Sequence, residues 1–254
     1  MGLVVPALGE PAVAGHRSRR LPRAAGSRGH VHTCLAHLIA QQTHTPRLAR
    51  LHLAAAALEE LLYLWGRAFV FPPEGTENLV ILKSTQEEPL HSFTLCLRSF
   101  TNLIQKHTLF SYASEDQYGD IIIYKTYLDM GPQYMVIIGG EETAFRVPDS
   151  YLRWKSSCVT WESEMGVITL RIGDFVLARR VLQKGYCIGP PNEIMLGNSS
   201  YYAGFSGEIK DVYMWNVAIP IRELRTTSWD SVLLPPIINW RKLHYEIQGN
   251  VTLV

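Results

Sequence analysis

Residues 68–254 predict an all-β protein, a two-sheet antiparallel sandwich or jelly roll. Three observations carry that prediction. Short runs rich in Val, Ile, Phe, Tyr and Thr recur along the stretch, turns containing Gly, Pro and Asn separate them, and only one segment is patterned as a helix. Residues 1–67 lack the pattern and predict a poorly structured extension rich in Arg and His.

The elements follow in order. Phe93-Thr94-Leu95-Cys96-Leu97-Arg98 is rich in strand formers and alternates in part. Residues 121–124 and 134–138 are short apolar runs suited to strands buried between two layers. Val167-Ile168-Thr169-Leu170-Arg171-Ile172 alternates, Gly173-Asp174 follows, and Phe175-Val176-Leu177-Ala178 returns. Gly in the first position of a two-residue turn favours type II′, so this is the clearest hairpin. Residues 221–229 predict one short helix, with Pro220 where a helix entry tolerates it.

The chain has 254 residues, a net charge of +1 and an apolar fraction of 47%. That balance excludes a disordered chain, and no basic block interleaved with aromatics marks a nucleic-acid binder. No uninterrupted apolar run approaches the ~18 residues of a membrane-spanning helix. The average conceals two parts. Residues 1–67 hold eight Arg and no Lys against three acids, a net of +5, while the remainder holds 16 basic and 20 acidic residues, a net of −4. Glu59 and Glu60 interrupt the one apolar segment of the extension, so no convincing secretory signal peptide is legible there. The Arg-rich stretch 11–50 is closer in composition to a mitochondrial transit peptide, or is an extension with no sorting role.

Cys96 and Cys158 each fall inside a strand-like run, 62 positions apart. They are either two buried thiols or a bond that staples two sheets, worth roughly 4 kcal/mol in loop-closure entropy. Cys187 follows a turn-like Lys184-Gly185-Tyr186 and reads as a partly buried thiol. Asn198-Ser199-Ser200 and Asn250-Val251-Thr252 are glycosylation sequons, on Asn198 and Asn250.

A family resemblance is carried by several motifs in order. Ala68-Phe69-Val70-Phe71-Pro72 opens the β region, then come Phe93-Thr94-Leu95-Cys96-Leu97 and Leu109-Phe110-Ser111-Tyr112-Ala113. Cys158-Val159-Thr160-Trp161-Glu162-Ser163 follows, with Ser156 where the family signature has His. Lys184-Gly185-Tyr186, Gly207-Glu208-Ile209, Met214-Trp215, Asn239-Trp240 and Tyr245-Glu246-Ile247-Gln248-Gly249 complete the series. Residues 68–254 resemble the short pentraxins. The resemblance implies a pentraxin or laminin G-like jelly roll with one helix on a face and a disulfide between Cys96 and Cys158. It also implies a secreted homo-oligomer, a cyclic pentamer, with calcium-dependent binding of phosphocholine, phosphoethanolamine or sugar ligands. The opposite face of such rings engages complement or Fc receptors.

The calcium ligands are where the sequence departs from the family. Calcium takes six to eight oxygens, several from carboxylates. The family's Asp-Asn pair falls on Tyr118 and Gly119, and neither side chain suits a hard cation. Its long acidic loop is replaced after Leu196-Gly197 by a shorter one, Asn198-Ser199-Ser200-Tyr201-Tyr202-Ala203-Gly204, without a carboxylate. Glu115, Asp116 and Asp120 are left as candidates for one weakly held ion, or as a solvated acidic turn. Tyr124 aligns with the aromatic beside the family's bound ligand and Glu142 with the acid that faces the choline cation. Such a pair suits a quaternary ammonium group, or serves structure alone.

Two functions are therefore expected: a secreted pattern-recognition lectin with weakened calcium dependence, or a pentraxin-fold scaffold that has lost calcium-dependent binding. A jelly-roll glycosidase is a remote third. It needs two carboxylates about 5 Å apart, and Glu162 and Glu164 are spaced to share a strand face. Because Glu162 belongs to the family signature, where it has no catalytic role, no enzyme is expected.

Overall fold

The computed structural model describes residues 64–73, 77–115, 119–128, 131–148, 153–199, 204–224 and 229–254. The strands, in chain order, are β1 (Phe69–Phe71), β2 (Leu79–Leu82), β3 (Ser92–Phe100), β4 (His107–Ser114), β5 (Ile121–Leu128), β6 (Gly131–Ile138), β7 (Glu141–Arg146) and β8 (Lys155–Glu162). They continue with β9 (Val167–Ile172), β10 (Phe175–Val176), β11 (Arg180–Val181), β12 (Pro191–Leu196), β13 (Gly207–Trp215), β14 (Ile238–Asn239), β15 (Tyr245–Gln248) and β16 (Thr252–Leu253). The first sheet runs β10-β9-β8-β3-β13-β1-β16, with β11 also on β9 and β14 on β13. The second runs β15-β2-β12-β4-β5-β6-β7. All pairings are antiparallel, so the all-β two-sheet expectation holds.

One hydrophobic core lies between the sheets. β4 is buried along its whole length and β5 over its first five residues. This explains why 121–124 reads as a continuous apolar run: these residues are covered on both faces, so alternation has nothing to report. Three buried indoles each find an acceptor. Trp161 donates to the Leu182 carbonyl at 2.9 Å, Trp240 to Leu64 at 2.9 Å and Trp215 to Leu234 at 3.0 Å. Pairing these N–H groups removes the penalty of desolvating them. Leu64 itself is fully buried, so the packed fold takes in residues just before the expected boundary at 68. The rest of the extension lies outside the described residues.

The predicted hairpin forms as β9 and β10, with Phe175 opposite Ile172. Gly173 has φ 56 and Asp174 does not take a left-handed conformation, the combination that a type II′ turn requires. The return strand is short and exposed: Leu177 N–H still donates to the Leu170 carbonyl at 2.9 Å, and Ala178 and Arg179 leave the ladder before β11 rejoins it. The helix expected over 221–229 is not seen among the described residues. Ile221–Glu223 form a turn closed by Glu223 N–H on the Pro220 carbonyl at 2.8 Å, residues 225–228 lie outside them, and Trp229–Ser231 is a single 3-10 turn.

Cys96 and Cys158 are bonded, with Cα atoms 4.1 Å apart. They are register partners in β3 and β8, so the bond ties neighbouring strands within one sheet and does not staple two sheets. The bond that the family resemblance implies is therefore present; the alternative of a staple between two sheets is not, because strand membership says nothing about which strands are neighbours. Cys187, expected as a thiol, is disulfide-bonded, to a partner outside the described residues.

His107 opens β4 and is fully buried, with Nδ1 2.8 Å from the Gln105 carbonyl and its ring edge-on to Phe205. Burial lowers its pKa to about 4; the Gln105 contact opposes the shift and Lys125 adds to it.

Two predictions follow from this packing. Replacing both cysteines by Ala removes a 62-residue loop closure, roughly 4 kcal/mol, and lowers the melting temperature by on the order of 10 °C. A calorimetric scan showing no drop would refute the cross-link's role. His107 remains neutral in the fold while the unfolded chain takes up a proton near pH 6.5. Its contribution is therefore present above pH 6.5 and is lost as pH falls towards 4, by about 3 kcal/mol. His107→Gln should flatten that part of a denaturant-midpoint profile against pH, and an unchanged slope would contradict the assignment.

Candidate functional site

A second, small apolar cluster stands apart from the main core, made of Ile122, Tyr124 and Ile137 with Met135 packed beside them. β5 and β6 bring it together, Ile122 opposite Ile137 and Tyr124 opposite Met135. β7 adds Glu142 opposite Ile137. The structure therefore brings together Tyr124 and Glu142, the pair singled out in the sequence. The Tyr124 hydroxyl donates directly to the Glu142 carboxylate.

The aromatic face is already occupied. Lys106 Nζ lies 4.3 Å from the centroid of the Tyr124 ring, with Glu142 close enough to act on its charge. Burial lowers the Lys106 pKa and the Glu142 carboxylate raises it partly back, the pattern of an ammonium drawn into a partly desolvated seat. An aromatic, a carboxylate and a cation over the ring form the arrangement expected of a choline site, with the chain's own lysine as the cation. Sequence reading missed Lys106. No local pattern marks it, because the pairing of β4 with β5 is what carries it to Tyr124.

Of the acidic residues near the first loop, one is turned into the fold. Asp120 is fully buried, and its carboxylate accepts the Tyr186 hydroxyl. Its carbonyl accepts Gly139 N–H at 2.9 Å, and the Tyr186 ring presses on Gly139 so closely that a Cβ there would sit 2.6 Å from it. Asp120 thus anchors the Lys184-Gly185-Tyr186 turn. Glu115 is exposed at the end of β4, Gly119 is buried with φ 90, and Asp116 and Tyr118 lie outside the described residues.

The second loop is also closed on itself. Phe205 N–H donates to the Gly197 carbonyl at 2.7 Å. Gly197, at φ 78, leaves no room for a side chain, since a Cβ would lie 2.3 Å from the Phe71 ring. Ser111 donates to the Asn198 carbonyl at 3.0 Å, and Ser199 meets the Thr108 hydroxyl at 3.3 Å. These are hydroxyl contacts that hold the loop to β4. Among the described residues no group of three or more His, Cys, Asp or Glu is placed to hold a metal. One buried carboxylate committed to a tyrosine and a loop without acids do not fit calcium's oxygen shell. Of the two sequons, Asn250 is exposed in the turn after β15, its N–H on Asn78 Oδ1 at 2.7 Å, whereas Asn198 is half-buried.

Glu162 and Glu164 do not share a strand face. Glu162 ends β8 and receives Met165 N–H at 3.2 Å, capping the turn, while Glu164 is exposed within that turn. The chain leaves the extended conformation at Ser163, so the spacing of two no longer places both on one side.

Two facing antiparallel sheets in this order define a jelly roll. Residues 67–254 match the Pentaxin family. Over 194 residues the chain is 34% identical to C-reactive protein of Sus scrofa, covering 73% of this chain and 86% of that one. Over 195 residues it is 33% identical to serum amyloid P-component of Cavia porcellus, covering 74% and 86%. The native heptameric SAP-like pentraxin from Limulus polyphemus superposes with a TM-score of 0.65 at 15% identity, covering 74% of this chain and 94% of that one, a likeness of fold. The chain belongs to the pentraxin family.

Lys106→Ala should uncover the Tyr124 ring. Tetramethylammonium titrated into that variant is expected to shift the Tyr124 ring resonances at millimolar concentration, consistent with about 1–2 kcal/mol from cation–π attraction, and to leave the parent chain unchanged. Equal shifts in both would mean that Lys106 does not fill the seat.

Proposed function

We propose that this chain is a pentraxin-type recognition protein that has lost the family's calcium-dependent grip on phosphorylated head groups. The observation that carries the reading is Lys106 over the Tyr124 ring beside Glu142, where a ligand's cation would otherwise sit. The inward position of Asp120, which accepts the Tyr186 hydroxyl, and the acid-free loop after Gly197 support it, because calcium's oxygen shell needs several converging carboxylates. Phosphocholine binding needs both the anion grip and the cation seat, and here each is replaced by an internal contact.

The setting in which it acts is proposed on other grounds. A disulfide in the core sheet and two sequons suit an oxidising, extracellular compartment. A cyclic homo-oligomer is the assembly expected of the family. The relatives are recognition proteins, and no reaction is assigned to this chain.

The test is a phosphoethanolamine resin loaded in millimolar calcium and eluted with chelator, alongside thermal melts with and without calcium. We expect flow-through and coincident melts. A tight site would stabilise the fold by about 2.7 kcal/mol at a hundredfold excess of ion. Chelator-dependent elution with an upward melting shift would overturn the reading.

A further inference from the structure

An open cavity lies elsewhere, at the end of the first sheet where β3, β8 and β13 meet the β9–β10 turn. It encloses about 610 Å³. Its lining includes Arg98, Arg153, Lys155 and Lys210, with Asp174 as the one acid, and Trp154 and Phe175 as aromatic walls. Asp174 is almost fully exposed and lies 3.8 Å from Arg171, turned to a cation of its own.

The charge is placed against local cost. Arg98 and Lys210 are register partners on β3 and β13, and like charges directly opposite one another destabilise a sheet. The strand departs from regularity at this point. The ladder shifts between Lys210 and Tyr213, and Asp211 takes φ 53, uncommon for a residue with a side chain. That bulge lets Asp211 reach Arg98 at 3.0 Å, while Lys210 Nζ lies 4.0 Å from the Trp154 ring centroid. The cations are thus held apart and oriented.

A second observation extends the first. Arg153 and Lys155 also line a water-sized hollow between the sheets, shared with His107 and Lys125 and with no carboxylate in its lining. His107 Nε2 is buried there without a hydrogen-bond partner. This end of the sandwich is electropositive from its surface to its interior, in a domain whose net charge from residue 68 onward is −4.

We propose that this cleft binds an acidic saccharide, with its sulfate or carboxylate groups on Arg153 and Lys210 and a sugar ring against Phe175; Lys155 Nζ is buried and adds only to the local potential. Guanidinium and ammonium groups grip such anions directly, with no bridging calcium. Phe175 is 62% exposed at the tip of the type II′ turn and supplies the apolar wall that a sugar ring covers. The site lies on the first sheet, apart from the Tyr124 cluster on the second, so it stands or falls independently of the calcium reading.

The test uses the full chain in chelator, with calorimetric titration of a size-defined heparin oligosaccharide. Arg153→Glu combined with Lys210→Glu should weaken binding about tenfold or more. Arg179→Glu with Arg180→Glu makes the same charge change on exposed residues at the other end of β9 and should leave the affinity within about twofold. Phe175→Ala should weaken the saccharide several-fold and leave the binding of inorganic pyrophosphate unchanged. Melting and sedimentation velocity check each variant. Equal loss in the two charge pairs would reduce the effect to net charge and overturn the proposal. Equal competition by duplex DNA would overturn the saccharide assignment. A cleft variant that dissociates the assembly would show instead that the cleft is a contact between copies of this chain.

Discussion

The pairing of β3 with β8 is the constraint on which the rest of the molecule depends. In the first sheet β8, β9, β10 and β11 reach β13, β1 and β16 only through that pairing. Eight residues of β3 align with eight of β8 without a register break, and the Cys96–Cys158 bond lies within that run. A one-residue slip would turn Phe93, Leu95 and Leu97 out of the core. The same pairing sets Arg98 opposite Ser156, and so places the basic cleft at the end of the sheet.

The two sheets have been put to different uses. On the second, the residues expected to form a ligand pocket or a weak ion site, and a lysine beside them, are drawn into contacts within the chain: Tyr124 with Glu142, Lys106 with Tyr124, Asp120 with Tyr186. On the first, cations are concentrated around open volume. Burying a polar group is tolerable when a partner meets it, and each contact on the second sheet supplies one. The first sheet leaves charge facing solvent, where an external partner can meet it.

Much of this was legible in the sequence, for reasons that differ by element. The β9–β10 hairpin was readable because a Gly in a two-residue turn has a local conformational meaning. The Tyr124–Glu142 pair was found only through resemblance, since residues on β5 and β7 are brought together by β6, and no local pattern records that. Strand pairing was illegible for the same reason, so the residues alone left open whether a Cys96–Cys158 bond joins two sheets or two neighbouring strands. The short 221–223 turn carried a helical apolar spacing, but Arg171 reaches the Ile221 and Leu224 carbonyls, at 3.4 and 2.7 Å, and a tertiary contact outweighs a weak local preference. The basic cleft was hidden because its residues are far apart along the chain and lie in a domain of net negative charge.

Lys106 over Tyr124 has a consequence for selectivity. A tethered ammonium is a competitor that cannot diffuse away, and a short tether presents it at an effective concentration in the millimolar range or above. An incoming amine gains only the difference between its own attraction to the ring and that of the lysine it displaces. Such a seat discriminates against small monovalent amines at any ordinary concentration. It yields only to a ligand whose contacts with the ring and its surroundings outweigh those of the lysine it displaces.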